Sequence, residues 1–385
     1  MVIQDFICIE IKTLTIIFIT IPWFHPAYKA GGPIQSIANM VEQFNDSISY
    51  KIFCSNTDLG GSILNVPTGI WTKYNENTQI LYTPKNKQSI AVLKKQIKNC
   101  KADIIFITGI YSWYFNLVPL LFFNSSRKIV SARGMLHPGA LSQKKIKKKI
   151  YLSLWKILGL HKKCDFHASN EEEKIYIENI FGKKVNIFIA QNFPRIFNRQ
   201  FPPNKKAGSL KLISVALISP MKNHLLVLEA LKSCNEQIDY HIYGPVKENI
   251  YWQECLKQMN TLPLNISVKY YGDIPPHEVE KVLSNSHVFI LPSKSENFGH
   301  AFYEALSAGK PIITSHNTPW NNLNESKAGI NISIDKPNEL IDSIKYFAAM
   351  DQNEFEEWCV GANRYAANSI NVDDIKKQYQ KMFFA

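Results

Sequence analysis

At 385 residues, with 45% hydrophobic and 20% charged side chains, the chain has the makeup of a folded protein with room for two ordinary domains, which excludes disorder as its main state. Its seven cysteines (Cys8, Cys54, Cys100, Cys164, Cys234, Cys255 and Cys359) are odd in number and form no Cys-x-x-Cys, which argues for reduced thiols and against a zinc site or disulfide framework. The net charge of +12 asks for nucleic acid, anionic lipid or a phosphate-bearing substrate as partner.

Strands and helices alternate along the first half. Strands are predicted at Thr15–Thr20, Ser49–Cys54, Ile104–Thr108, Lys128–Ala132, Asp165–Ala168 and Asn186–Ile189. Helices are predicted at Pro33–Phe44, Ser89–Asn99, Ser142–Leu158 and Asn170–Phe181, the last opened by a capping box of Asn170 and Glu173. The apolar segment Leu14–Phe24 has no small-residue cleavage site after it and is not a secretory leader. Residues Ile104–Ser126 lack charge over a length that could span a bilayer. Gly109, Ser112, Asn116 and Pro119 interrupt them, so they read as a buried strand, a turn and a packed helix.

Residues Asn192–Ser209 hold Pro194, Pro202, Pro203 and Gly208 among basic residues, the composition of an interdomain linker. The alternation then restarts. Strands fit Lys211–Leu217, Tyr240–Tyr243, Ser267–Tyr271, Val288–Leu291 and Ile312–Thr314. Helices fit His224–Ser233, Glu248–Met259, Pro276–Asn285, His300–Ser307 and Asn338–Phe347. The expected fold is α/β, with two Rossmann-like domains facing a cleft lined by the carboxyl ends of their strands. The expected division is residues 1–200, residues 201–370 and a C-terminal helix, 371–385, returning to the first domain.

The most informative stretch is Ser295-Glu296-Asn297-Phe298-Gly299-His300-Ala301-Phe302-Tyr303-Glu304, set between a strand and a helix. Backbone N–H groups at the start of a helix make a seat for an anion. Either glutamate alone reads as a solvated helix carboxylate. Two of them beside an anion seat fit a ligand that carries both phosphate and hydroxyls, because a carboxylate accepts hydroxyl hydrogen bonds well. A nucleotide sugar is such a ligand. Lys222, at a strand-to-helix turn, is a solvated lysine by itself and a phosphate contact in a cleft. Gly31-Gly32-Pro33 is a tight turn with proline at the first helical position, and its glycines also let a ligand approach the backbone. Arg133 and His137, in Ser131-Ala132-Arg133-Gly134-Met135-Leu136-His137-Pro138, follow a strand. The guanidinium suits phosphate, and the imidazole suits a base or a hydroxyl partner.

The run Pro292-Ser293-x-x-Glu296-Asn297-Phe298-Gly299 with Glu304 resembles the Glu-x7-Glu signature of glycosyltransferase family 4, whose members are retaining enzymes of GT-B architecture. The resemblance runs along nearly the whole chain. Phe24-His25-Pro26-Ala27-Tyr28 with Gly31-Gly32-Pro33 looks like the family's glycine-rich loop, and Leu217-Ile218-Ser219-Pro220-Met221-Lys222-Asn223 looks like its phosphate loop. Tyr243-Gly244-Pro245, Tyr271-Gly272, Ala308-Gly309-Lys310-Pro311 and Thr318-Pro319-Trp320 match later turns. The resemblance implies that Glu304 binds the donor ribose and Glu296 the donor sugar's hydroxyls. It implies that Asn297, Phe298, Gly299, His300, Gly31, Gly32 and Gly244 approach the donor, and that Lys222 neutralises the pyrophosphate. Glu296, Lys222 and His137 are then the candidate catalytic residues, and Arg133 and His137 the candidate acceptor or phosphate contacts. One departure stands out: the family's arginine five residues before the lysine is Leu217 here, so either Arg133 or another basic residue replaces it or charge stabilisation is weaker.

The chain has no Asp-x-Asp, so neither a metal nor another cofactor is expected, and protein cations take over the leaving-group charge. The run Lys144-Lys145-Ile146-Lys147-Lys148-Lys149-Ile150, continuing through Leu154-Trp155-Lys156-Ile157-Leu158, is either a solvated face or a helix on anionic membrane. No helix-turn-helix, RNA-binding or zinc signature supports nucleic acid. The expected protein is a retaining hexosyltransferase of surface polysaccharide assembly. It is cytoplasmic, at the inner membrane face, and uses a nucleotide sugar and a lipid-linked acceptor. A same-fold epimerase and a non-catalytic sugar- or lipid-binding protein are the alternatives. A nicotinamide oxidoreductase is disfavoured because Gly-x-Gly-x-x-Gly is absent.

Overall fold

The computed structural model describes residues 14–44, 48–123, 126–142, 144–199 and 203–385. Cys8 and Pro202 lie outside them. In the first lobe, β1 (Thr15–Thr20) leads through a glycine turn into α1 (Gly32–Gln43) and β2 (Ile48–Ser55). A short hairpin, β3 (Trp71–Lys73) and β4 (Thr78–Thr83), precedes α2 (Ile90–Cys100) and β5 (Ile104–Thr108). A π-helical turn at Trp113–Leu117 runs into α3 (Val118–Phe122), so the uncharged stretch is strand, turn and packed helix as the sequence predicts. Next come β6 (Arg127–Ser131), α4 (Pro138–Ser142), α5 (Lys145–Ile157), β7 (Asp165–Ala168), α6 (Glu171–Phe181) and β8 (Ile187–Ile189).

The second lobe runs β9 (Ser209–Val215), α7 (His224–Leu231), β10 (Gln237–Tyr243), α8 (Asn249–Met259), β11 (Ile266–Tyr270), α9 (Val279–Ser284), β12 (Val288–Leu291) and α10 (His300–Ser307). It ends with β13 (Ile312–Ser315), β14 (Gly329–Ile332), α11 (Pro337–Ala349), α12 (Gln352–Ser369) and α13 (Val372–Phe383).

Among the described residues the sheets are ordered β3-β4-β2-β1-β5-β6-β7-β8 and β11-β10-β9-β12-β13-β14. All pairings are parallel except β3 with β4. Helices cover both faces, which is why the central strands are apolar on both sides. In β1, Ile17 and Ile19 join one core cluster with residues of α1 and α13, while Phe18 points to the other with Leu93 of α2 and Trp155 of α5.

Several elements differ from the sequence expectation. The helix predicted over Ser142–Leu158 is α5, which starts later, at Lys145, because Lys144 adopts a left-handed conformation (φ 52°), and the short α4 precedes it. The segment expected to be a linker is packed: Phe193 and Phe197 are core residues of opposite lobes, and buried Lys205 donates to the carbonyls of Ala348 (3.0 Å) and Met350 (2.7 Å). Only part of the capping box forms. Asn170 accepts from the Glu173 N–H (2.7 Å), but the Glu173 carboxylate reaches Ser169 and Gly134 instead of the cap backbone. Helix α13 returns to the first lobe, where Tyr379, Met382 and Phe383 are buried and Arg127 donates to the Met382 carbonyl (2.8 Å). No described helix is long and apolar enough to cross a membrane.

Candidate active site between the lobes

Two loops meet across the cleft. On the first-lobe side, Gly31 (φ 68°) turns the chain from β1 into α1, and Gly32 and Pro33 open that helix. On the other, Gly299 (φ 75°) turns the chain after β12 into α10. A side chain at Gly299 would fail twice, since its Cβ would also lie 2.5 Å from the Phe302 ring. The positive ends of two helices therefore converge on one cavity of about 290 Å³. Gly31, Gly32, Arg133, Leu217, Lys222, Glu296, Asn297, Phe298, Gly299, His300 and Glu304 all line it.

Each acidic side chain sits differently. Glu296 pairs with Lys222 and accepts from Ser293 Oγ (2.9 Å), which fixes its carboxylate toward the cavity. Glu304 is only 8% exposed, and burial pushes its carboxyl from the ordinary 4.5 up to about 7, with the Arg195 charge pulling weakly the other way. Arg195 comes from the packed crossover segment and donates to the Pro276 carbonyl (2.9 Å). Sequence reasoning missed it, because its proximity to Glu304 is non-local.

Arg133 holds a left-handed conformation (φ 51°) after β6 and donates through Nη1 to Asn192. Its Nε and Nη2 are buried, and the guanidinium bonds the Tyr379 hydroxyl and tempers the rise that burial gives the hydroxyl's pKa. An enclosed guanidinium whose partners are neutral favours an anion beside it. Arg133 makes no ion pair among the described residues and faces the same cavity as Lys222.

Contacts across the cleft are specific. Ser36 bonds His300 Nε2 (2.9 Å), Tyr28 Oη donates to Asp273 (2.6 Å), and Ser169 Oγ donates to Asn297 Oδ1 (2.9 Å). The His300 ring is neutral, pushed down to about 3 by burial and then by the Arg133 charge. Phe298 is tied back by Trp320, whose Nε1 donates to its carbonyl (2.7 Å).

Two predicted site residues lie elsewhere. Gly244 does not line the cavity. Its missing side chain is explained by packing, since a Cβ there would stand 1.8 Å from the Ala216 carbonyl oxygen. His137 lines a neighbouring cavity of about 270 Å³ that shares Arg133, Lys222, Glu296 and Asn297 with the first. Its Nδ1 accepts the Gly139 N–H (3.0 Å), so its Nε2 carries the proton toward Ser295 Oγ (3.1 Å). Among the described residues no group of three or more His, Cys, Asp or Glu side chains is arranged to hold a metal ion.

Residues 196–358 match the family model of glycosyl transferases group 1. The match lies within the second lobe and the crossover segment that leads into it. The chain is 20% identical to an uncharacterized 41.2 kDa protein in the cps region of Klebsiella pneumoniae, covering 92% of the chain and 96% of that protein. It is 25% identical to a putative colanic acid biosynthesis glycosyltransferase, WcaL of Escherichia coli K12, over 54% of the chain and 52% of the relative. Its fold is that of solved glycosyltransferases of GT-B architecture. Anabaena HepE in complex with UDP-glucose superposes with a TM-score of 0.70 at 15% identity, covering 96% of this chain and 99% of HepE. WaaG, a glycosyltransferase involved in lipopolysaccharide biosynthesis, superposes with a TM-score of 0.67 at 12% identity, covering 96% and 99%.

Proposed function

We propose that this chain is a group 1 glycosyl transferase that moves a hexose from a nucleotide-diphosphate sugar to an acceptor hydroxyl, with retention at the anomeric carbon, in surface polysaccharide assembly at the cytoplasmic membrane face. The observation that carries this reading is the joint placement of Glu296, Glu304, Lys222 and two helix N-termini around one cavity. Glu304 accepts the ribose hydroxyls and Glu296 the donor sugar's hydroxyls. As the bond from the anomeric carbon to the pyrophosphate breaks, negative charge grows on the leaving oxygens. Lys222 and the N–H groups heading α10 meet it without reorganisation. Arg133, which lines the cavity and makes no ion pair among the described residues, stands in for the cation missing at Leu217, and no metal is needed. The acceptor hydroxyl attacks from the face the leaving group vacates, and its proton passes to a departing phosphate oxygen. The relatives in the cps region and in colanic acid biosynthesis support the polysaccharide setting.

The exposed lysines of α5 favour a peripheral contact with anionic membrane and a lipid-linked acceptor. Trp155, once grouped with that face, is a core residue at 1% exposure and takes no part. The outward apolar residues are Ile146, Ile150, Leu154 and Ile157.

The test is a panel of nucleotide sugars incubated with the protein and an acceptor, with released nucleotide measured and the product's anomeric coupling read by NMR. One donor should release nucleotide and give a product of the donor's own anomeric configuration. An inverted product contradicts retention. A panel without nucleotide release contradicts transfer and leaves a binding protein, and a changed donor sugar without release points to an epimerase.

A further inference from the structure

The described chain passes between the lobes twice, and both passages run beside Arg133. The first leads from Phe193, in a first-lobe core cluster, to Phe197, in a second-lobe one. The second leads from Ala366 of α12, in the second lobe, to Ile375 of α13, in the first. The two segments are bonded to each other, since the Gln191 N–H donates to Gln378 Oε1 of α13 (2.9 Å). The next residue of each reaches the guanidinium: Asn192 from the crossover and Tyr379 from α13.

Both partners are fixed in place. Tyr379 is fully buried, its ring stacked on Phe193 (5.1 Å between centres, 22° between planes) with Phe44, Phe383 and His167 around it. Asn192 is buried and lines the interlobe cavity, and the carbonyl of its neighbour Phe193 accepts from Asn39 Nδ2 of α1 (2.8 Å). The backbone turn at Arg133 is held from a third side, where the Gly134 N–H donates to the Glu173 carboxylate (2.6 Å). That carboxylate is also spent on Ser169 N and Oγ (2.8 Å each). A guanidinium already held in one orientation has little freedom left to lose when an anion binds.

The chemistry of the grip matters as much as its rigidity. Burial raises the Tyr379 pKa above an already high ordinary value, so the hydroxyl stays neutral, and the Asn192 amide oxygen is an uncharged acceptor. Both orient Arg133 without cancelling its charge. Lys222, in the same cavity, is instead paired with the Glu296 carboxylate.

We propose that Tyr379 and Asn192, one from each lobe-crossing segment, are positioning residues that aim the Arg133 guanidinium at the donor's diphosphate and, being neutral, leave its charge to the leaving group. The proposal rests on the transferase reading and adds the residues that set its cation.

Calorimetric binding of inorganic diphosphate to the full chain tests this without turnover. The wild type should bind saturably, and Arg133→Met at least tenfold more weakly. Tyr379→Phe keeps the ring stack and removes one bond, which should weaken diphosphate about three- to tenfold. Asn192→Asp keeps the acceptor but pairs the guanidinium with a charge, and should weaken diphosphate at least tenfold; it decides the matter where Tyr379→Phe does not fold. In the Arg133→Met background Tyr379→Phe should cost nothing more, whereas a merely structural hydroxyl would cost the same in both backgrounds. Tyr50→Phe, the same deletion at a buried tyrosine near Tyr379, should leave affinity unchanged. Absent diphosphate binding, unchanged affinity in Arg133→Met, Tyr379→Phe or Asn192→Asp, an equal loss in Tyr50→Phe, or a further equal loss on the Arg133→Met background overturns the proposal. Nucleotide release from the sugar panel is measured alongside. Its absence in the wild type defeats the transferase reading, whereas the diphosphate series decides the positioning assignment alone.

Discussion

Glu304→Gln separates the cost of a buried carboxylate from its use. Burial lifts this carboxyl from 4.5 to about 7, and its side chain is 8% exposed, so solvent screens it little. At ~1.4 kcal/mol per pH unit, keeping it ionised in the folded chain costs roughly 3 kcal/mol. The sign follows from proton uptake. Between pH 4.5 and 7 the folded state holds a proton that the unfolded state has released, so stability falls as pH rises through that window and stays low above it. Glutamine carries no such penalty. The variant should match the wild type near pH 4 and exceed it by roughly 3 kcal/mol at pH 8.5, several degrees in unfolding temperature at ~2–4 °C per kcal/mol. Donor binding should move the opposite way. Two hydroxyl bonds to a carboxylate are each worth about 1.5–3 kcal/mol, and glutamine offers one acceptor, so affinity should fall about 10- to 100-fold. Wild-type affinity should rise between pH 6 and 8 as the carboxyl ionises. Thermal unfolding across pH and calorimetry with the active donor measure both. A glutamine variant with no added stability at pH 8.5 and unchanged donor affinity refutes the reasoning.

Lys222→Met removes the partner of Glu296 and a cation from the leaving-group site. Turnover, read as released nucleotide, should fall about 100-fold or more, with a smaller loss of donor affinity. Asn297→Ala deletes the cross-cleft bonds that Ser169 Oγ and Asn170 Nδ2 donate to the Asn297 side chain, worth about 1 kcal/mol each, leaves the Asn170 bond to the Asn297 carbonyl, and should enlarge the radius of gyration of the free protein in small-angle scattering. Charge reversal of Lys145, Lys147 and Lys149 should abolish flotation with anionic vesicles at low salt, because each surface lysine contributes about 1 kcal/mol.

The strands were legible because parallel sheet covered on both faces demands unbroken apolar runs, as in Thr15–Thr20 and Ile104–Thr108. The Glu296 and Glu304 loop was legible because strand, glycine turn and helix are local features. Short or polar elements escaped. The β3–β4 hairpin turns through Asn75-Glu76-Asn77, and β14 is four residues beginning with glycine. Helix α12 went unread although it packs against α10, because its charged and aromatic residues hide the buried stripe of Phe355, Cys359, Ala362 and Ala366. Non-local facts escaped altogether. The Asn192 partner of Arg133, the Arg195 charge near Glu304 and the carbonyl behind Gly244 all depend on residues brought together by folding.

Hydrogen–deuterium exchange with and without the active nucleotide sugar tests most directly that the donor sits between the lobes. Protection should appear together at residues 295–304 and at residues 31–36, one segment from each lobe. Protection confined to one lobe, or absent from the loop holding Glu296, would contradict the account.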